Sequence, residues 1–69
     1  MTRDELRAQT EALLLDNGIK AGSNPSHELT MYSRGIDLLD RHMPELSGRE
    51  YVQARQVCIE VAGITRRRR

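Results

Sequence analysis

The residue types that most often bind metals or act as nucleophiles are few in this chain and far apart in its sequence. Its histidines are His27 and His42, and its single cysteine is Cys58. A metal site needs several such ligands at short spacings, and a catalytic thiol needs a neighbouring base and an exposed thiolate. The sequence indicates neither arrangement, so we expect surface or helix-end histidines and a cysteine that behaves as a small apolar side chain.

Carboxylate pairs and phosphate-binding loops are two further kinds of site that the sequence can be tested for. Asp37 and Asp40 are three residues apart and share a helical face, but Arg34 and Arg41 lie on the same polar face, which favours solvated charges. The glycines are isolated from one another, so no glycine-rich phosphate loop is indicated. A chain of 69 residues has a marginal core and little room for an enclosed active site. We therefore expect a protein that is not an enzyme and needs no cofactor.

Nucleic-acid binding is an alternative, because residues 26–62 can be interpreted as a helix-turn-helix. The second helix of that motif would present Arg49, Gln53 and Gln56, which are residue types that bind base edges. The four arginines 66–69 would contact phosphates. However, the rest of the chain has seven basic and ten acidic residues, a net charge of −3, and the helix carrying Arg49 is strongly apolar. Both features are unusual for a DNA-reading domain.

The first helix is predicted from its two ends. Thr2 to Glu5 has the capping-box pattern, in which the threonine and the glutamate each satisfy a backbone amide. Gly18 followed by Ile19 is typical of a helix that ends at a left-handed glycine. These signals predict a helix over about residues 3–17.

The second helix is predicted over about residues 25–43, because Pro25 fits the first helical position and Pro44 prevents continuation. Its main apolar face follows a 3-4-3-4 spacing, and further apolar residues widen it to half of the circumference. An ion pair between Asp37 and Arg41 is expected on the opposite face. Gly35 is either a weak point or a position where another helix, of this chain or of a partner, approaches closely. The face consists of Leu29, Tyr32, Ile36, Leu39 and Met43, widened by Met31, Gly35 and Leu38.

The third helix is predicted over about residues 48–62. Ser47 to Glu50 has a second capping-box pattern, and Gly63 followed by Ile64 repeats the glycine stop signal. Residues 57–61 are rich in β-branched side chains and could alternatively form a strand. The capping pattern and the glycine stop favour the helix.

These elements predict an all-α fold, a small three-helix bundle, with one domain over residues 1–65 and a basic tail over residues 66–69. The apolar residues of the third helix cover about two-thirds of its circumference, more than the stripe of roughly 100° that a surface helix usually buries. Exposed apolar surface of this kind indicates a partner. The simplest partner is a second copy, so we expect an oligomer, most simply a homodimer.

The leading functional hypothesis is a small interaction protein that binds a larger protein and modulates it as an inhibitor, adaptor or regulator. Compact chains without cofactors are common among phage and mobile-element accessory proteins, an analogy that concerns size and composition only. A second alternative is an oligomer that binds a small anionic ligand at helix N-termini near Ser26 and Ser47. The residues expected to contact the partner are Arg49, Gln53, Arg55, Gln56, Arg66, Arg67, Arg68 and Arg69.

The expected location is the cytoplasm. A single cysteine cannot form an intramolecular disulfide, whereas small secreted domains usually have several. The longest apolar run, Leu13 to Leu15, is far shorter than the ~18 residues that a membrane span needs.

Overall fold

Three α-helices make up the regular structure of the described residues. The computed structural model describes residues 2–22 and 24–64. In chain order the helices are α1 (Arg3–Asp16), α2 (Pro25–His42) and α3 (Gly48–Ala62). The predicted all-α fold and its three helices are confirmed, with bounds within one residue of the prediction. Residues 57–61 are helical, so the alternative of a strand there is wrong.

The predicted ends of α1 are both present. Thr2 Oγ1 accepts a hydrogen bond from the Glu5 amide at 3.1 Å, and the Thr2 amide donates to Glu5 Oε1 at 2.9 Å. These hydrogen bonds with Thr2 lower the pKa of the Glu5 carboxyl below its ordinary value. At the other end, Gly18 has a φ of +81°, and the Ile19 amide donates to the Leu14 carbonyl at 3.0 Å. This is a Schellman turn, and it returns Ile19 to the core.

The N-terminus of α2 agrees with the sequence, and that of α3 does not. Asn24 Oδ1 accepts from the His27 amide at 2.8 Å, with Pro25 at the first helical position. The capping box expected at Ser47 and Glu50 is wrong, because the Ser47 side chain makes no hydrogen bond to the helix. Both side chains are exposed, so water can satisfy the first amides of α3.

The core lies between the three helices and differs from the prediction in the rotation of α2. Leu39 is buried as expected, but Leu29 is 64% exposed, and Met31 and Gly35 complete the buried face. A β-carbon added to Gly35 would lie 3.3 Å from both Cys58 Sγ and Leu14 Cδ2. Gly35 is therefore the position at which α2 packs closely against both α1 and α3 of the same chain. The buried apolar residues are Leu6, Leu14, Ile19, Met31, Leu39, Leu46, Ala54, Val57, Cys58 and Ala62.

The pairing predicted on the outer face of α2 is also present. Arg41 Nη2 donates to Asp37 Oδ2 at 3.1 Å, with both side chains largely exposed. Exposed pairs of this spacing contribute only about 0.3–0.5 kcal/mol, so the bundle does not depend on it.

One buried polar group in the core leads to a prediction about stability. Thr10 on α1 is fully buried between Leu6 and Leu14, and its Oγ1 has no hydrogen-bond partner in the described structure. A buried hydroxyl without a partner costs about 1–3 kcal/mol. We expect Thr10→Val, which keeps the shape and removes the hydroxyl, to raise the free energy of unfolding by about 1 kcal/mol in urea titrations. Thr30→Val on the exposed side of α2 is the control, and an equal or lower stability of the Thr10 variant would contradict the prediction.

Candidate functional site

A groove runs along the surface between α1 and α3 and encloses about 310 Å³. Four of its lining residues are apolar and form the floor, and four are charged and form the rim. The floor consists of Leu15, Ala21, Val57 and Val61, and the rim of Arg7, Glu11, Lys20 and Glu60.

Helical spacing and one turn bring these side chains together. Arg7, Glu11 and Leu15 are four residues apart on α1 and therefore form one row along its side. Val57 and Val61 form the matching row on α3. The turn that buries Ile19 carries the next two residues, Lys20 and Ala21, across the end of the groove.

Close packing of the turn against the end of α3 closes this end of the groove. A β-carbon on Gly63 would lie 2.8 Å from Ala21 Cβ, so Ala21 occupies space that only a glycine leaves free. Nearby, a β-carbon on Gly22 would overlap the ring of His27 at the start of α2. The chain from Ile19 to Gly22 is therefore fixed on both sides by packing.

The charges of the rim are only partly paired. Arg7 Nη2 donates to Glu60 Oε1 at 2.7 Å, an ion pair that bridges α1 and α3. Both side chains are partly exposed, and such a pair contributes at most about 1 kcal/mol to stability. Glu11 and Lys20 are exposed and make no ion pair with the described residues. The groove thus offers an apolar floor with one unpaired acid and one unpaired base beside it.

The structure divides the residues that the sequence singles out as a contact site. Arg49, Gln53 and Gln56 lie in one row on α3 together with Glu60, and this row continues the α3 side of the groove. Gln53 is half-buried and the two others are exposed. Arg55 is exposed on a different side of α3. The arginines Arg66, Arg67, Arg68 and Arg69 lie outside the described residues.

The groove itself is missing from the sequence prediction, although one signal for it exists. Leu15 lies outside the stripe formed by Leu6 and Leu14, and it is 54% exposed in the structure. A large aliphatic side chain that lies outside the buried stripe of a short helix does not contribute to the hydrophobic core. It could have identified α1 as one wall of a surface site.

The cysteine and the two histidines, which the sequence singles out for metal or nucleophilic chemistry, are not among the residues that line the groove. Cys58 is fully buried, and desolvation raises the pKa of its thiol to about 11. It is therefore a neutral thiol at physiological pH and packs against Gly35. Within residues 2–22 and 24–64, no three His, Cys, Asp or Glu side chains are grouped so that they could hold a metal ion.

Comparison with known proteins gives no match to a family model, a curated protein or a solved structure. The described helices also include none that is long and apolar enough to cross a membrane.

Proposed function

We propose that this chain is a small, non-enzymatic interaction protein that binds a larger protein and modulates it as an inhibitor, adaptor or regulator. The observation that supports the proposal is the α1–α3 groove, where Leu15 is left exposed beside Val57 and Val61. Apolar surface with a charged border is typical of protein-binding sites. The energy for binding comes from removing Leu15 and the exposed part of Val61 from water, at roughly 25 cal/mol per Å² before the costs of association.

The shape and charge of the groove favour a helical segment of the partner. A helix that docks in a groove inserts aliphatic side chains at three- and four-residue spacings. The floor offers apolar side chains from both α1 and α3 for such a row to contact. Glu11 and Lys20 would pair with a basic and an acidic residue on the border of the partner helix. The Arg7–Glu60 pair bridges the two walls and is already satisfied within the chain.

The row formed by Arg49, Gln53 and Gln56 extends this surface along α3. These side chains would contribute hydrogen bonds and charge at the polar border of the interface, where they affect specificity and association rate more than affinity. The same row is what a DNA-reading helix would present. Glu60 in that row, with Glu50 exposed at the start of α3, disfavours contact with phosphates.

The proposal is tested with a displayed library of amphipathic helical peptides, selected against the full-length protein. Selected peptides are expected to bind at least about tenfold more weakly to Leu15→Glu, which places a charge on the floor, and about threefold more weakly to Lys20→Glu, which reverses an exposed charge at the rim. Val52→Glu is the matched control, since Val52 is equally exposed but lies outside the groove. Its peptide affinity should stay within about twofold.

Two results would overturn the proposed function. One is a library that yields only peptides whose binding is unaffected by Leu15→Glu. The other is a mobility shift with a specific duplex DNA that is lost on Gln56→Ala, since that result would favour the helix-turn-helix interpretation.

A further inference from the structure

The outer face of α2 and α3, on the side away from α1, carries the other large apolar side chains that the fold leaves in water. Leu29 on α2 is 64% exposed and Val52 on α3 is 53% exposed. Together with Leu15 in the groove, these are the large hydrophobic side chains of the described residues that have more than half of their surface in water. Leu29 on α2 and Val52 on α3 therefore lie outside the groove.

The contacts of α3 define which of its sides belongs to this outer face. Val57 and Glu60 face α1, and Cys58 lies against Gly35 of α2. Each residue advances about 100° around a helix. Turning around the axis of α3 from Cys58, away from α1, one therefore meets Arg55, Ile59 and Val52 in that order. These three side chains lie beyond the contact with α2.

The corresponding side of α2 follows from the direction of the chain. A short turn over residues 43–47 joins α2 to α3, and Gly35 packs against Cys58, each at least seven residues away from that turn. The two helices therefore run back alongside each other in opposite directions. Both helices are right-handed and they run in opposite directions. The side of α2 that faces α3 and then the outside is therefore reached by turning around the axis of α2 from Leu39, in the direction in which each residue advances by about 100°. The residues on this side are Tyr32, Ile36, Leu29 and Asp40, of which the first two are half-buried and the last two exposed.

The charges on this outer face are of opposite sign. Asp40 lies on the α2 side and Arg55 on the α3 side, and both are exposed. Neither forms an ion pair within the described part of the chain. A twofold axis parallel to the helices would place α2 of one copy opposite α3 of the other. Asp40 would then face Arg55 of the second copy twice in the same interface.

We propose that a second copy of this chain covers the outer face of α2 and α3, and that the dimer core is an antiparallel four-helix bundle. The apolar part of the interface is Leu29, Ile36, Val52 and Ile59, and the reciprocal pairs of Asp40 and Arg55 lie within the same face. The face is about 27 Å long and about 20 Å wide, roughly 500 Å² in projection. This lies at the lower end of specific interfaces, so we expect a dissociation constant in the micromolar range.

The experiment is sedimentation velocity on the full chain from about 1 to 300 µM, with circular dichroism to verify that each variant is folded. The wild type is expected to pass from monomer to dimer over this range. Val52→Glu, Asp40→Arg and Arg55→Asp should each raise the dissociation constant at least about tenfold, because they bury a charge or oppose two like charges. The double variant Asp40→Arg with Arg55→Asp should recover most of the loss, since it inverts the pair. Leu15→Glu is the control in the groove and should leave dimerisation unchanged.

Several outcomes would refute the dimer. A wild type that stays monomeric at 300 µM overturns it, as does a dimer that withstands Val52→Glu. A dimer that is lost on Leu15→Glu places the interface in the groove instead. Failure of the charge inversion to restore association overturns the reciprocal pairing of Asp40 with Arg55. None of these results depends on whether a partner protein binds between α1 and α3.

Discussion

Leu14→Ala is expected to lower the free energy of unfolding by about 2–5 kcal/mol, a large part of the total stability, whereas the same change at Leu15 is expected to leave stability within about 0.5 kcal/mol of the wild type. Leu14 is fully buried and lies where α1 meets Gly35 of α2. Removing a buried leucine side chain costs about 2–5 kcal/mol, which includes the cavity left behind. A single core of this size rarely supplies more than about 3–5 kcal/mol in total.

The comparison is made by circular dichroism during urea titration of both variants. The two leucines are neighbours in sequence and have the same helix propensity, so the difference isolates burial from secondary-structure preference. Near-equal losses at the two positions would mean that Leu15 is covered in solution, for example by a partner copy. A concentration dependence of the wild-type midpoint that is lost on Leu15→Ala would identify that case.

The ends of the helices were predictable because their signals are local. The Thr2–Glu5 box, Pro25 and the glycines 18 and 63 each satisfy or end backbone hydrogen bonding within a few residues. Neighbours distant in the sequence hardly affect such signals. The same logic failed at Ser47, where exposure to solvent leaves the cap optional.

The rotation of α2 could not be predicted, because its apolar residues cover half of the wheel and do not select one direction. The choice is made by Gly35, which lets α1 and α3 approach where Leu14 and Cys58 meet it. Hydropathy gives glycine no preference for the core, so the pattern centred the face on Leu29, Tyr32 and Ile36 instead. Tertiary packing turned these residues toward the outer edge.

The candidate site was predicted only at its border. Arg49, Gln53 and Gln56 stand out by residue type, and they do lie in one row. The groove beside them joins α1, the turn after it and α3, and its α3 residues lie more than thirty positions after the others in the sequence. No local pattern reports the spacing between two helices that are distant in sequence, so the floor at Leu15 and Val61 could only come from the structure.

Gly63→Ala is expected to lower the free energy of unfolding by about 2–4 kcal/mol, and Gly18→Ala by only about 1 kcal/mol. Both glycines end a helix with a positive φ, +87° at Gly63 and +81° at Gly18, so both variants carry the cost of a left-handed residue with a side chain. They differ in their surroundings. A β-carbon on Gly18 meets nothing within 4 Å, whereas one on Gly63 would lie 2.8 Å from Ala21 Cβ and 3.3 Å from Ala21 Cα.

A double-mutant cycle with Ala21→Gly separates the two costs. Removing the Ala21 methyl group makes room for the new β-carbon, so Ala21→Gly with Gly63→Ala should be more stable than the sum of the single changes by about 1 kcal/mol or more. The same Ala21→Gly change should be additive with Gly18→Ala, because those residues do not contact each other. Equal losses at Gly18 and Gly63, or additivity in both cycles, would show that Ala21 does not pack on the end of α3. The turn that carries Lys20 would then not be fixed at the end of the groove, and the rim on which the proposed binding surface depends would lose its geometry.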